Sequence, residues 1–114
     1  MANIYLNAKK DLTTSTVTTL YTVPSNSRAI VKSILVSEDT NTATTITVDL
    51  FDADPATGNK FNLFKTQAVA GNETLQLLTE PLIMLENEVL QVTAADANTL
   101  HVVASILEIN REDR

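Results

Sequence analysis

The chain has 114 residues, no cysteine and a formal net charge of -6, which together limit the classes of protein it can belong to. This length supports one domain, and the absence of cysteine excludes a disulfide framework and thiolate chemistry. The acidic balance argues against direct binding to nucleic acid, because such proteins cluster Lys and Arg to displace counterions from phosphates. We therefore predict a single domain over residues 1–114 that makes no direct contact with nucleic acid.

The apolar pattern indicates neither a secretion signal nor a membrane span. Residues 1–10 lack a long apolar run after a basic region. No segment approaches the roughly 20 apolar residues that are needed to cross a bilayer. We expect a soluble product of the cytosol that does not bind a membrane.

Alternating side chains predict the first β-strand over residues 3–8. The apolar side of this strand consists of Ile4, Leu6 and Ala8. Because two lysines follow this apolar side, residues 1–10 are a candidate arm that adds a strand to a neighbouring molecule. The alternative is that the segment belongs to the sheet of its own chain.

The next two strands are predicted over residues 16–23 and 28–37, as a pair joined by a polar turn. Pro24 cannot donate a ladder hydrogen bond and belongs at a strand end, and three polar residues follow it. Residues 28–37 are the most apolar run in the protein. Since apolar residues there occupy neighbouring positions, we expect a central strand that is buried on both faces.

The middle of the chain predicts a hairpin. Residues 44–52 alternate cleanly, which indicates a strand with one solvated face. Residues 52–59 contain Asp-Pro and Gly-Asn, which favour a loop and tolerate a left-handed backbone. Residues 60–69 are predicted to form the second arm. The side chains expected to be buried in this arm are Phe61, Leu63 and Phe64.

The remaining strands are predicted over residues 73–78, 82–85, 89–93 and 100–109, and the charged segment 110–114 is expected at the surface. Residues 80–89 also carry apolar side chains at helical spacing, so a helix is the alternative there. About eight short strands separated by turns are typical of an antiparallel sandwich. The predicted fold is therefore an all-β, jelly-roll-like antiparallel β-sandwich.

No arrangement of residues indicates catalysis or a metal site. The single histidine, His101, lies among apolar neighbours in the last strand, where a structural or interface role is expected. The acids Asp49, Asp52 and Asp54 could resemble a calcium cage, but their spacing does not match an EF-hand, and solvated loop acids are expected. We predict that the protein is not an enzyme and holds neither cofactor nor metal.

Other acids occur in predicted turns, and we expect them to be solvated and to protect the strand ends from edge pairing. These acids are Glu38, Asp39, Glu86 and Glu88.

Apolar and aromatic side chains on predicted outer faces indicate contacts with other subunits, because a neighbouring molecule can bury them. The predicted interface residues are Ile4, Tyr5, Leu6, Tyr21 and Phe51. Aromatic residues are scarce and Trp is absent, so a sugar-binding surface has little support beyond Tyr5 and Phe51.

Four segments resemble small virion structural proteins of tailed bacteriophages, especially marine and cyanobacterial ones. Residues 20–24 (LYTVP) and 28–36 (RAIVKSILV) resemble the opening hairpin of these proteins. Residues 80–92 (EPLIMLENEVLQV) and 104–109 (ASILEI) continue the pattern. The resemblance covers most of residues 17–109 and consists of turns and apolar strands, without a catalytic signature.

The resemblance implies a non-enzymatic part of a phage particle, made in the host cytoplasm. One implied role is a capsid decoration or cement protein, which associates with itself as a trimer and contacts the major capsid protein. The alternative is a neck or tail component that forms a higher ring and contacts other virion proteins. A carbohydrate-binding host-attachment module and a small β-barrel enzyme are the other classes considered, and the absence of catalytic residues argues against the enzyme.

Overall fold

The computed structural model describes residues 2–110, which form nine β-strands in two antiparallel sheets packed face to face. The strands are β1 (Ala2–Leu12), β2 (Thr18–Thr22), β3 (Ser27–Glu38), β4 (Thr44–Phe51), β5 (Lys60–Val69), β6 (Thr74–Gln76), β7 (Leu82–Met84), β8 (Val89–Ala94) and β9 (Leu100–Asn110). The predicted all-β antiparallel sandwich is confirmed. Within residues 2–110 there is no helix with the length and apolar character that crossing a bilayer requires.

The order of the strands is that of a jelly roll. Sheet A has the order β1-β9-β3, and both β6 and β7 pair with β3 on its other side. Sheet B has the order β2-β8-β4-β5. Because β6 and β7 pair with different parts of β3, they act as one interrupted strand. The sandwich therefore has the eight strand positions, four in each sheet, that a jelly roll requires.

Residues 2–12 belong to the sheet of their own chain. The whole of β1 pairs with β9, from Ala2 opposite Asn110 to Leu12 opposite Leu100. The candidate arm therefore pairs within the sheet of its own chain here, and its addition to a neighbouring molecule stays a prediction. Met1 and most of the charged segment 110–114 lie outside the described residues.

The predicted pairing of the second and third strands is wrong. β2 pairs with β8 in sheet B, whereas β3 lies in sheet A, so the turn after Pro24 carries the chain from one sheet to the other. The reason is that both sides of β3 are occupied, by β9 on one side and by β6 and β7 on the other.

The predicted central position of β3 is confirmed, but its burial on both faces is wrong. Ile34 and Val36 are fully buried, whereas Leu35 between them is 39% exposed on the outer face of sheet A. A register shift between Val31 and Ser33 changes the phase of the alternation. β3 therefore has one face in the core and a second, partly apolar face toward solvent.

The core lies between the sheets and is almost entirely aliphatic. Its largest fully buried apolar side chains are Leu12, Ile34, Ile46, Met84, Leu90, Leu100 and Ile106. The segment 80–89 contributes to this core through β7 and β8 and does not form the alternative helix. Met84, on the inner face of β7, is fully buried.

Asparagine occupies the turn positions that need a left-handed backbone. The five asparagines with φ between 61° and 67° are Asn26, Asn41, Asn72, Asn87 and Asn98. Asparagine tolerates this conformation better than most residues do. The tight turns between strands can therefore form in a chain with only two glycines.

The predicted loop at residues 52–59 joins β4 to β5, but neither Gly58 nor Asn59 has a positive φ. Gly58 is required for space, since a Cβ there would lie 2.9 Å from the Ala53 backbone nitrogen.

The predicted burial of the β5 aromatics is only partly correct. Phe61 is 52% exposed, while Leu63 and Phe64 are half-buried against the core. β5 is one of the two edge strands of sheet B, and its pairing with β4 has register shifts, so some of its apolar side chains point away from the core.

Candidate interaction surface

His101 lies on the outer face of sheet A, near the start of β9. Its Nε2 is 3.3 Å from an Asp11 oxygen and its Nδ1 is 3.8 Å from an Asp39 oxygen, and all three side chains are largely exposed. Within residues 2–110, no group of three or more His, Cys, Asp or Glu side chains could hold a metal ion. His101 is thus placed to link the end of β1 with the loop after β3.

The three acids weighed as a calcium cage each accept hydrogen bonds from groups of the β4–β5 hairpin in which they lie. Asp49 is buried in β4, so its predicted place as a solvated loop acid is wrong, and it accepts a hydrogen bond of 2.8 Å from the Asn62 side-chain amide. Asp52 accepts from the Asn59 backbone N–H at 2.8 Å and from its side-chain amide at 3.1 Å. Both hydrogen bonds from Asn59 lower the pKa of Asp52, and the backbone bond has the larger effect. Asp54 accepts from the backbone N–H two residues later, at 2.9 Å. The carboxylates therefore stabilise the β4–β5 hairpin.

Glu38 is buried, which corrects its predicted place as a solvated turn acid. Its side chain is only 2% exposed. The carboxylate accepts backbone hydrogen bonds from Thr40 at 3.0 Å, Thr42 at 3.2 Å and Asn72 at 3.0 Å, and one from the Thr40 hydroxyl. Burial alone would raise the pKa of Glu38, but these hydrogen bonds outweigh burial and lower its pKa to about 2. Glu38 therefore joins the loop after β3 to the turn before β6.

Replacing Glu38 by glutamine should lower the stability of the fold at neutral pH but hardly at all at low pH. The folded-state pKa of about 2 lies below the ordinary 4.5, so the carboxylate stabilises the fold above pH 4.5 and this contribution is lost as the pH falls through 2. We expect Glu38→Gln to lower the melting temperature by several degrees at pH 7 and to have little effect near pH 2. Thermal unfolding between pH 2 and 7 measures this difference.

The matched control for this prediction is Glu80→Gln, because Glu80 is exposed in the loop between β6 and β7. The melting temperature of Glu80→Gln should equal that of the wild type at every pH. A difference in melting temperature between the wild type and Glu38→Gln that is the same at every pH would contradict the assigned role of the carboxylate.

The five predicted interface residues do not form one surface. Tyr5 is 76% exposed on the outer face of sheet A. Ile4 and Leu6 point to the inner side of the β1 edge, where Ile4 is 43% exposed and Leu6 is partly buried. Phe51 is half-buried at the end of β4 in sheet B. Their participation in an interface stays a prediction.

Tyr21, the fifth predicted interface residue, links the two sheets. Its ring packs partly against the core, and its hydroxyl donates a 2.6 Å hydrogen bond to Glu108 of β9. Burial, followed by the hydrogen bond and the negative charge of Glu108, raises the pKa of Tyr21 well above its usual range. Glu108 is itself only 8% exposed, so this contact joins sheet B to sheet A inside the molecule.

A continuous row of apolar side chains crosses the outer face of sheet A. Tyr5 lies opposite Leu107, Leu107 opposite Ile30, and Ile30 opposite Ile83, so four neighbouring strands contribute one residue each. Tyr5 and Ile83 are 76% and 56% exposed, and the two residues between them are half-buried. We call these four residues the apolar row.

A shallow depression with a mixed polar and apolar lining lies beside the apolar row. It is lined by Tyr5, Leu6, Asn7, Lys32, Ser105 and Ile106, next to the register shift in β3. Lys9 and Arg28 are also exposed on this face. The outer face of sheet A therefore combines exposed apolar groups with three cations.

Sequence reasoning found only Tyr5 of the apolar row. Ile30 was expected to be buried, and Ile83 and Leu107 were read as ordinary strand residues. The one available signal was that β3 has more apolar residues than a single buried face needs. The row depends on the register of four strands, and three of these are distant in sequence.

Comparison with known proteins gives a likeness of fold. Neither a protein-family model nor a curated protein sequence matches this chain. A chain of the T13 IBDV viral particle has a TM-score of 0.58 and 9% identity, over 96% of this chain and 31% of that one. A chain of the infectious bursal disease virus Gx strain gives 0.57 and 6%, over 97% and 33%. A xylan-binding domain from CBM 22 gives 0.45 and 15%, over 81% and 60%.

This chain spans about a third of the length of the two viral chains that it matches. At these identities the likeness is one of fold, and it agrees with the jelly-roll order of the strands.

Proposed function

We propose that the protein is a non-enzymatic structural component of a viral particle. The observation that carries this proposal is the jelly roll, which is similar over 96% of the chain to part of a chain from a viral particle. The apolar row supports it, because an exposed apolar band on a rigid sheet fits contact with another subunit. The carboxylates of the buried acids Glu38 and Glu108 accept hydrogen bonds that join parts of the fold, which fits a structural role for both residues.

Within this class, the role we propose is a capsid decoration or cement protein of a tailed phage. The resemblance of residues 20–24 and 28–36 to virion proteins of tailed phages supports this choice. The net charge of -6 also suits a position on the outer surface of the head, away from packaged DNA. Such a protein contacts copies of itself and the major capsid protein, and it stabilises the shell without binding nucleic acid or a membrane.

The alternative within the class is a neck or tail component that forms a ring. The two roles differ in copy number. A decoration protein is present in proportion to the shell protein, whereas a ring has about six or twelve copies in each particle. Quantitative mass spectrometry of purified particles distinguishes the two stoichiometries, and absence of the chain from the particles would contradict both.

A carbohydrate-binding host-attachment module is the second candidate function. The observation that favours it is the exposed ring of Tyr5 beside the depression with Asn7 and Ser105, since sugars stack on exposed aromatic rings. A glycan array with purified protein tests it. Binding that is lost in Tyr5→Ser would favour this function, and an array without hits would exclude the tested glycans.

A further inference from the structure

We propose that the outer face of sheet A binds a second copy of this chain, and that the second copy contributes acidic turns to the contact. This inference deepens the proposed structural role and rests on it. It assigns to one face of the sandwich the self-association that such a role requires.

The first argument is the continuity of the exposed apolar groups. Single exposed apolar residues are normal on protein surfaces, but a contiguous patch indicates an interaction site. The apolar row crosses all four strand positions of sheet A. On the same face, Leu35 is 39% exposed further along β3, and Leu85, two residues after Ile83, is 46% exposed.

The second argument is the area of the face. The strands of sheet A are spaced by about 4.8 Å and rise about 3.3 Å per residue, and β1, β3, β9 and the short β6 and β7 together give a planar area of about 630 Å². A standard protein interface buries about 800 Å² on each partner. The relief of the side chains adds to the planar value, so this face is large enough for a specific contact.

The third argument is the distribution of charge. Lys9, Arg28 and Lys32 lie on the outer face of sheet A with one exposed strand acid, Asp11, so this face is cationic although the molecule has a net charge of -6. Many of its exposed acids lie in the loops and turns between strands. The exposed acids of these connections are Asp52, Asp54 and Glu86 at one end of the sandwich, Asp39 and Asp96 at the other end, and Glu80 between β6 and β7.

This distribution selects the geometry of the contact. Packing two sheet A faces against each other would bring Arg28 and Lys32 close to the cations of the partner, which is unfavourable. Placing the end of one copy that carries Asp52, Asp54 and Glu86 on the cationic face of the next copy brings opposite charges together. Such a head-to-tail contact generates a ring when the rotation closes. We therefore expect a cyclic oligomer whose stability falls with increasing salt.

The apolar part of the proposal is tested with Ile83→Asp. Ile83 is 56% exposed, so the folded monomer should tolerate the change, whereas a buried charge should weaken self-association at least about tenfold. The matched control is Phe61→Asp, because Phe61 is 52% exposed but lies on β5 of sheet B. Light scattering over a concentration series measures association, and circular dichroism checks that both variants are folded.

The charged part is tested with Lys32→Glu and the control Lys65→Glu. Both residues are exposed and undergo the same change of charge, but Lys65 lies on β5. We expect Lys32→Glu to shift the protein toward the monomer and Lys65→Glu to leave the association unchanged. Raising the salt concentration should weaken association of the wild type and have a smaller effect on Lys32→Glu.

A wild type that is monomeric at about 100 μM, well above common cellular protein levels, overturns the inference, as does an oligomer that neither Ile83→Asp nor Lys32→Glu weakens. If a monomeric wild type is found in purified particles but Lys32→Glu is excluded from them, the face binds another virion protein, and only self-association is wrong. If the oligomer responds as expected but the chain is absent from particles, the inference stands and the proposed function fails.

Discussion

Ile34→Ala should lower the free energy of unfolding by about 2 to 5 kcal/mol, the usual cost of shortening a large aliphatic side chain in a packed core. Ile34 is fully buried in β3, between the strands on both sides of it, so the cavity left by the change cannot be filled by water or by a loop. This loss is a large part of the stability of a small domain. Urea unfolding followed by circular dichroism measures it.

The neighbouring residue provides the control for this prediction. Leu35 has the same number of carbon atoms as Ile34 but is 39% exposed on the outer face of sheet A. Leu35→Ala should therefore lower the unfolding free energy by less than about 1 kcal/mol. Equal losses for the two variants would show that β3 is buried on both faces.

Tyr21→Phe should lower the unfolding free energy by about 1 to 3 kcal/mol, because it leaves a buried acceptor without its donor. The acceptor is the carboxylate of Glu108, which is 8% exposed and receives the Tyr21 hydroxyl at 2.6 Å. The control is Tyr5→Phe, which removes a hydroxyl from a ring that is 76% exposed and should change stability by less than about 0.5 kcal/mol.

The pH dependence provides a second measurement on Tyr21. The pKa of Tyr21 is raised above the ordinary value of 10.0 in the folded state, so the wild type gains stability from this group below pH 10 and loses it as the pH rises further. The phenylalanine variant lacks this loss. The two stabilities should converge in strongly alkaline solution, and a constant difference between pH 8 and 11 would contradict a role for the hydroxyl proton.

Strand positions were predictable from the sequence because they depend on local patterns. The alternation in residues 44–52 and the Asp-Pro and Gly-Asn signals in residues 52–59 correctly indicate β4 and the hairpin that follows it. The apolar run of residues 28–37 correctly indicates the central strand. Each of these signals comes from neighbouring residues, and no distant part of the chain changes it.

Strand partners were not predictable in the same way. The turn after Pro24 is compatible either with a hairpin or with a crossing between sheets, and the choice depends on β9, which begins at Leu100. Burial on both faces was inferred for β3 because its outer face also carries apolar residues, Ile30 and Leu35, beside the buried ones. The local sequence indicates neither which strand a given strand pairs with nor the register of that pairing.

The candidate site was the least predictable part. Tyr5 was identified because an aromatic ring on a polar strand face is conspicuous. Its partners in the apolar row come from strands that begin at residues 27, 82 and 100. The hydrogen-bond partner of Tyr21, Glu108, lies 87 residues later in the chain. A pairing over that distance has no local signal.

The position of β9 between β1 and β3 has a consequence for the order in which the protein folds. Both neighbours of β9 are synthesised long before it, and sheet A cannot close until the last described strand is available. Such non-local pairing slows folding, which for β-sandwiches takes milliseconds to seconds. Until then, β1 and one edge of β3 have unpaired backbone groups, so a nascent or truncated chain is the state most exposed to aggregation.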